Sequence, residues 1–379
     1  MTDVVIAAYR RSPFHFANKG ELTKVRPDEM AAQVVRALVR ESGIDPATIE
    51  DVVLGCAFPE GEQGLNVARL IAFLAGLPEN TAGVTVNRFC GSSMQAVHQA
   101  AGAIRMGAGD AFLCAGVESM TRVPIMGFNP MPHPGLAKDF PQAYISMGET
   151  AENVARRYQV TRRDQEAFAV ESHRKAAEAQ QEGRLDAEIV PITANGRTVE
   201  RDGCIRPETT AEGLAGLKPA FQQDGTVTAG TSSPLTDGAA ALLVCSAEYA
   251  KAHGLTPLAR VKSIAVAGCA PEVMGMGPVE ASRKALARAG ISVRDLDVVE
   301  LNEAFASQAL ACMRELGLDE AKVNKDGGAI ALGHPLGATG ARITGKAAQI
   351  LAREGGRYAL ATQCIGGGQG IATVLEAVR

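Results

Sequence analysis

The chain has 379 residues, which is long for one domain and favours two or three. Its 46% hydrophobic and 21% charged residues are typical of a globular protein, and a net charge of −4 excludes a generally basic nucleic-acid-binding surface. No apolar run reaches the roughly 18 residues that span a bilayer. The acidic N-terminal segment favours a first strand over a signal peptide, and the C-terminus carries no address signal, so we expect a cytoplasmic protein without membrane insertion.

The first part of the chain alternates short apolar segments with amphipathic ones. A helix is predicted after Pro27, where apolar residues recur at helical spacing until Gly43, and another begins near Gly91. Strands are predicted at residues 4–8, 52–56, 84–87 and 112–115. Alternating strands and helices predict an α/β layered fold.

The middle of the chain has a different composition. Five prolines lie within residues 123–142, which predicts an ordered loop without helix. Two helices are predicted next, one after Thr150 and one from Thr161, where Thr-x-x-Asp resembles a capping box, to Gly183. We interpret this region as an inserted lid or substrate-binding subdomain rather than a surface excursion.

The last part of the chain returns to alternating strands and helices. Strands are predicted at 260–267, 298–301, 323–324, 358–362 and 370–375, and helices at 280–289, through Glu315 and to about Arg353. The pattern Ala-Leu, Gly-Ile, Asp-Val-Val occurs in 37–53 and again, in the same order, in 285–299. This predicts two duplicated α/β halves: an N-terminal half (1–120), an inserted loop region that returns to that half (121–250), and a C-terminal half (251–379).

The eight cysteines form no CxxC pair, so the spacing predicts neither a zinc site nor a disulfide framework. Cys90 lies where a predicted strand turns into a predicted helix. The free N–H groups and dipole of that helix would favour the nucleophilic thiolate. A buried cysteine that packs the helix against the sheet explains the same pattern equally well.

Three further segments carry candidate groups. His334 lies in a glycine-rich loop, 327–340, whose rigid backbone suits a base at neutral pH. Cys364 begins Cys-Ile-Gly-Gly-Gly-Gln-Gly, which either presents N–H groups to an oxyanion or forms a tight turn. Asn302 ends a predicted strand, where α/β sheets bind ligands, or it caps the following helix.

Four motifs together resemble the thiolase family over nearly the whole chain. They are Val-Asn-Arg-Phe-Cys-Gly-Ser-Ser-Met around Cys90, Asn-Glu-Ala-Phe from Asn302, Gly-Gly-Ala-Ile-Ala-Leu-Gly-His-Pro around His334, and the glycine-rich segment from Cys364. The resemblance implies a thiolase-like α/β fold in which two duplicated halves form a layered core with an inserted loop domain.

The resemblance also implies roles for the site residues. Cys90 would accept the acyl group, His334 would activate its thiol, and Cys364 would exchange the proton at the acetyl α-carbon. Asn302 would hold a water that forms one oxyanion hole with His334. The backbone N–H groups of Cys90 and Gly366 would form the other.

Coenzyme A (CoA) and acyl-CoA are the substrates that the resemblance implies, without a metal or a further cofactor. Arg206 would lie near the adenine of CoA. For this residue and for each of the contacts named next, ordinary packing or turn formation is the competing explanation. The other residues expected along the nucleotide, pantetheine and acyl path are Phe221, Ser233, Met274, Met147 and Phe305.

The implied activity is thiolytic cleavage of 3-oxoacyl-CoA to acetyl-CoA and a shortened acyl-CoA, by a ping-pong mechanism through acyl-Cys90. Ser146-Met147-Gly148 replaces the His-Met-Gly that is typical of biosynthetic thiolases, which favours a degradative acetyl-CoA C-acyltransferase of fatty-acid β-oxidation. An acetoacetyl-CoA thiolase is the first alternative, and an inactive thiolase-like lipid-binding protein is a weaker one.

Two other enzyme classes fit the residues less well. A papain-like protease needs Asn after His, whereas Asn302 precedes His334, and a 3-oxoacyl synthase lacks the second Cys. The family leads us to expect a homo-oligomer, either a dimer or a tetramer, and a β-oxidation enzyme as a further partner.

Overall fold

A computed structural model describes residues 2–378. In chain order, the strands are β1 (Val4–Arg11), β2 (His15–Phe16), β3 (Asp51–Gly55), β4 (Ala82–Val86), β5 (Ala111–Ser119), β6 (Ile192–Ala194), β7 (Arg197–Val199), β8 (Thr236–Ser246), β9 (Ala259–Gly268), β10 (Val298–Leu301), β11 (Tyr358–Ile365) and β12 (Gln369–Glu376). The α-helices are α1 (Pro27–Ser42), α2 (Val67–Leu74), α3 (Ser92–Arg105), α4 (Pro134–Asp139), α5 (Met147–Arg157), α6 (Arg162–Gln181), α7 (Ala211–Ala215), α8 (Ala247–Ala252), α9 (Gly277–Ala289), α10 (Ala306–Leu316), α11 (Ala329–Leu332) and α12 (Leu336–Glu354).

The sheet topology repeats between the two halves. The N-terminal half has the strand order β4-β3-β5-β8-β1. Strand β3 is parallel to β4 and β5, and β8 is antiparallel to β5 and β1. The C-terminal half has the order β10-β11-β12-β9, with β11 parallel to β10 and β12 antiparallel to β11 and β9. An isolated parallel bridge from Val299 to Val323 supplies the counterpart of β4. The predicted duplication is confirmed.

The two halves stack into five layers. Helices α1 and α2 bury residues such as Leu38 and Ile71 on the outer face of the N-terminal sheet. Helices α9 and α10 do the same on the C-terminal sheet, with Leu286 among the buried residues. Between the sheets lie α3 and α12, whose Val97 and Ile343 share one apolar cluster with strands of both halves. The halves also join through β1 and β9, which pair at two positions.

Glycines allow α12 to approach its neighbours closely. A Cβ added at Gly337 would lie 2.5 Å from the Val117 carbonyl oxygen on β5, and one at Gly340 would lie 2.3 Å from the Met94 nitrogen on α3. Any larger residue would push these elements apart. Because α3 follows Cys90 and α12 follows His334, this contact places the two candidate residues at the junction of the halves.

The inserted region between β5 and β8 holds α4 to α7 and the hairpin β6-β7. The prediction that its proline-rich part contains no helix is wrong, because α4 begins at Pro134. At the first helical position, proline's missing N–H group leaves no helical hydrogen bond unmade. No helix within residues 2–378 has both the length and the apolar character needed to cross a membrane.

The two predicted helices of the insertion both form. Helix α5 begins at Met147, slightly before the predicted start, with a capping box between Ser146 and Glu149. The predicted start of α6 is confirmed: Thr161 and Asp164 form the reciprocal hydrogen bonds of a capping box.

Candidate active site

Cys90 sits on a sharp turn between β4 and α3. Phe89 has φ 43°, an unusual conformation for a side chain of this size, and its N–H donates to Asn87 Oδ1 at 2.8 Å. Gln363 on β11 donates from Nε2 to the carbonyl of Cys90. The turn therefore presents Cys90 toward the C-terminal half, where β11 ends.

Burial raises the pKa of the Cys90 thiol to about 11. The backbone N–H groups of Gly366 and of Cys90 itself act in the opposite direction, and the Glu118 carboxylate adds to the rise. The N–H groups act in the predicted direction, but burial outweighs them and the net shift of the pKa is upward. The thiol needs a base to become nucleophilic at neutral pH.

His334 is buried on the loop between α11 and α12. Its ring nitrogen Nδ1 lies 2.6 Å from Thr339 Oγ1, and its Nε2 lies 3.4 Å from Asn302 Nδ2. Its backbone N–H donates to Thr236 Oγ1 at 3.0 Å. Burial, and then the positive charge of Arg342, lower the His334 pKa to about 3. The imidazole is therefore neutral and free to accept a proton at physiological pH.

Asn302 leaves β10 at the same edge of the sheet where β11 ends. Its N–H donates to the Thr362 carbonyl at 3.0 Å, and its buried Oδ1 accepts no hydrogen bond from the residues that the structure describes. The cap of α10 is Phe305, so the alternative that Asn302 caps this helix is wrong. The side chain is instead directed at His334.

Cys364 lies buried at the end of β11, and burial raises its pKa well above the ordinary thiol value, with a contribution from nearby Cys90. Beyond it, Gly366 directs its N–H at Cys90. A Cβ at Gly91 would lie 2.6 Å from Ile365, which shows how closely the Cys90 turn packs against this strand. The four predicted loops therefore converge on one place.

Five of the six predicted substrate contacts border this site. Met147, Met274 and Phe305 share an apolar cluster with Cys364. The ring of Phe221 meets that of Phe305 edge to face at 5.9 Å, and Ser233 Oγ donates to the Ala304 carbonyl at 3.1 Å.

Arg206 is the exception among the predicted contacts. Its Nη2 lies 3.2 Å from His173 Nε2, and its guanidinium lies over the ring of Phe16 at 5.8 Å. No contact of Arg206 among the described residues connects it to the cluster that contains Cys364.

Two buried carboxylates hold the loops in place. Sequence analysis placed one of them, Glu303, beside Asn302 at the end of a predicted strand, and it missed the other. Glu303 accepts hydrogen bonds from Ser172 Oγ at 2.6 Å and Asn324 Nδ2 at 2.7 Å, and it packs against Gly328 in the loop that carries His334. The sequence signal for Glu303 was the polar pair that it forms with Asn302 at the end of a predicted strand.

The second carboxylate, Glu118 on β5, ties the start of α12 to the end of β3. It accepts from the N–H groups of Ala57 at 2.8 Å and Gly337 at 2.9 Å, and from Gln63 Nε2 at 2.8 Å. Among residues 2–378, no cluster of three His, Cys, Asp or Glu side chains is arranged to hold a metal ion.

Comparison with known families agrees with this geometry. A family model described as thiolase, N-terminal domain, matches residues 4–248, and one described as thiolase, C-terminal domain, matches residues 255–377. The chain belongs to the thiolase family. The two matched ranges correspond to the two α/β halves, with the insertion inside the first, so the thiolase-like fold is confirmed.

Several curated thiolases align along their full length. A 3-ketoacyl-CoA thiolase of Bacillus subtilis is 48% identical, with 99% of this chain and 100% of the relative covered. Proteins of the same name from Marinobacter nauticus (50% identical, 99% and 98% covered) and Shewanella frigidimarina (51% identical, 100% of both covered) are similarly close.

Proposed function

We propose that this thiolase is an acetyl-CoA C-acyltransferase that cleaves 3-oxoacyl-CoA with CoA in fatty-acid β-oxidation. The observation that carries the proposal is the convergence of Cys90 with a neutral, buried His334 and a second thiol, Cys364. The relatives that align with this chain along almost their whole length are named 3-ketoacyl-CoA thiolase, which supports the same activity.

In the first half-reaction, His334 Nε2 takes the proton of the Cys90 thiol, and the sulfur attacks the 3-oxo carbon. The N–H groups of Cys90 and Gly366, which face the sulfur, stabilise the resulting oxyanion. The bond between C2 and C3 then breaks, leaving an acyl thioester on Cys90 and an acetyl-CoA enolate. Cys364 donates its proton to the enolate carbon, which yields acetyl-CoA.

The enolate oxygen needs its own donors, which His334 and a water held by Asn302 provide in this proposal. The unpaired, buried Oδ1 of Asn302 gives such a water an acceptor. In the second half-reaction, Cys364 takes the thiol proton of an incoming CoA, whose sulfur attacks acyl-Cys90 and releases the shortened acyl-CoA. The departing Cys90 thiolate takes back the proton that His334 holds, which restores both groups. The cycle is ping-pong and requires no metal or redox cofactor.

Cleavage of a series of 3-oxoacyl-CoA esters, from acetoacetyl-CoA to long chains, tests the proposal. We expect higher kcat/KM for medium or long chains, because the cluster of Met147, Met274 and Phe305 offers apolar contact beside Cys364. Activity confined to acetoacetyl-CoA would instead indicate an acetyl-CoA C-acetyltransferase. No cleavage of any ester by folded protein with free thiols would contradict the proposal.

The proposal includes a cytoplasmic homo-oligomer, a dimer or tetramer, with a β-oxidation enzyme as a further partner. The homo-oligomer is supported by the N-terminal sheet edge at β4, where Leu65, Phe73 and Val84 are exposed apolar side chains. We expect light scattering of the purified protein to give the mass of a dimer or tetramer, and a monomer at micromolar concentration would contradict this.

A further inference from the structure

The Nδ1 side of His334 has a specific partner within the next turn of the chain. Thr339 lies in the first turn of α12, and its buried Oγ1 is 2.6 Å from His334 Nδ1. The same hydroxyl oxygen is 3.0 Å from the Pro335 carbonyl, to which it donates. Hydroxyl groups commonly bond to the carbonyl four residues earlier in a helix, so this donation is chemically ordinary.

The hydrogen bonds on the two sides of the ring bear on which ring nitrogen carries hydrogen. A threonine hydroxyl has one proton, which it can give either to the Pro335 carbonyl or to a bare Nδ1 of His334. When the proton goes to Pro335, Thr339 Oγ1 accepts from Nδ1–H of the neutral imidazole. On the other side of the ring, the Asn302 amide Nδ2 at 3.4 Å can donate only to a nitrogen with a free lone pair. Hydrogen on Nδ1 and a lone pair on Nε2 is the arrangement that satisfies the Asn302 contact and the donation from Thr339 to Pro335 together.

We propose that Thr339 is a positioning residue that fixes His334 as the Nδ1–H tautomer and so leaves Nε2 as the base for Cys90. The hydrogen bond at one imidazole nitrogen determines which nitrogen is protonated. Without the acceptor at Nδ1, the buried ring shifts toward the Nε2–H form, which cannot take the thiol proton. The effect on turnover rests on the proposed function, whereas the tautomer itself does not.

The test compares Thr339→Val, which keeps the shape without the hydroxyl, with Thr339→Ser, which keeps the hydroxyl. Thr344→Val is the matched control, because Thr344 is equally buried on the same helix and donates from Oγ1 to the Gly340 carbonyl at 2.7 Å. None of the hydrogen bonds of Thr344 involves His334. The control therefore removes the same kind of buried bond without changing the partner of the imidazole.

Three readouts follow the tautomer and its consequence. Nitrogen NMR of the histidine-labelled protein, with His334 assigned by its loss in a His334→Gln variant, reports the protonated nitrogen directly. The rate at which iodoacetamide alkylates Cys90 at pH 7, located by mass spectrometry, reports the basicity at Nε2. Steady-state kcat with a 3-oxoacyl-CoA reports turnover.

We expect the Nδ1–H form in the wild type, in Thr339→Ser and in Thr344→Val. In Thr339→Val we expect a shift toward Nε2–H, with alkylation and kcat both lower by about 10- to 100-fold, the scale at which partners that orient a histidine act. If the tautomer and alkylation respond as expected but no ester is cleaved, the proposed function fails and this inference stands.

Three results would overturn the inference. One is an Nε2–H tautomer in the wild-type protein, a measurement that does not depend on any variant folding. Another is unchanged alkylation in folded Thr339→Val. The third is an equal loss of kcat in Thr344→Val, which would mean that the effect arises from general damage to α12.

Discussion

Replacing Cys90 with serine is expected to lower kcat for 3-oxoacyl-CoA cleavage by roughly 10⁴-fold or more, the scale seen when the nucleophile of a catalytic unit is removed. Serine preserves the shape of the turn but supplies a much weaker nucleophile for the same neutral base. Mass spectrometry of the protein after mixing with 3-oxoacyl-CoA, before CoA is added, checks whether Cys90 is the residue that accepts the acyl group. The wild type should gain one acyl group on the peptide that contains Cys90, and the variant should gain none.

Cys114→Ser is the matched control for this substitution. Cys114 is buried on β5, and its thiol donates to the Ala96 carbonyl of α3 at 3.5 Å, so it has the helix-packing role that was the alternative explanation for Cys90. We expect a lower free energy of unfolding with little change in kcat. If Cys90→Ser behaved like this control, or if the acyl group appeared on Cys364, the assignment of the nucleophile would be wrong.

The elements that sequence analysis placed well are those whose signals are local. Helix α1 starts at Pro27 and ends before Gly43, which adopts the left-handed conformation with φ 69°. Strand β10 occupies the predicted range 298–301. In such segments the spacing of apolar residues and the terminating residue predict the same element, and tertiary packing is consistent with it.

Two of the elements that sequence analysis did not predict have clear physical reasons. Strand β8 is buried along its whole length between β5 and β1, so its sequence shows no alternation of apolar and polar residues. Its run Gly238-Ala239-Ala240-Ala241 also lacks the branched side chains that usually indicate a strand. Helix α4 was missed because the proline count was taken as a barrier, although Pro134 stands at the position where a helix tolerates it.

The site shows a similar division. The motifs that carry the reacting groups are contiguous in sequence, so sequence analysis found them. The residues that hold these groups are not contiguous: Gln363 contacts Cys90 across 273 positions, and Glu118 contacts Gly337 across 219. Burial, which determines the pKa of Cys90, likewise depends on the packing of both halves. A local argument from the helix terminus therefore gave the direction of the N–H contribution but not the net shift of the pKa.

Replacing His334 with alanine is the second large effect we expect, with kcat lower by about 10²- to 10⁴-fold, the usual contribution of a general base. The residual activity should also acquire a different pH dependence. In the wild type, the His334 pKa of about 3 and the Cys90 pKa of about 11 leave the base free and the thiol protonated between these values. This pair therefore predicts a flat profile of log kcat/KM from pH 5 to 9.

Without His334, attack requires thiolate that forms by loss of the Cys90 proton to solvent. Below the Cys90 pKa the thiolate fraction rises about tenfold per pH unit, so the residual kcat/KM should rise by the same factor. His98→Gln is the control. His98 is also buried, its pKa is also lowered to about 3, and its Nε2 lies 2.9 Å from Thr373 Oγ1, but none of its hydrogen bonds involves the site residues. We expect this variant to keep the wild-type rate and the flat profile.

The opposite shifts of the two pKa values have one cause, because burial disfavours the charged form of each group. A thiolate–imidazolium pair at rest would place two charges in a site that stabilises neither well. Charge separation becomes favourable only when a substrate carbonyl accepts the sulfur and transfers the negative charge to an oxygen that faces the N–H groups of Cys90 and Gly366. A near-normal rate with a flat profile in His334→Ala would show that another base performs this step.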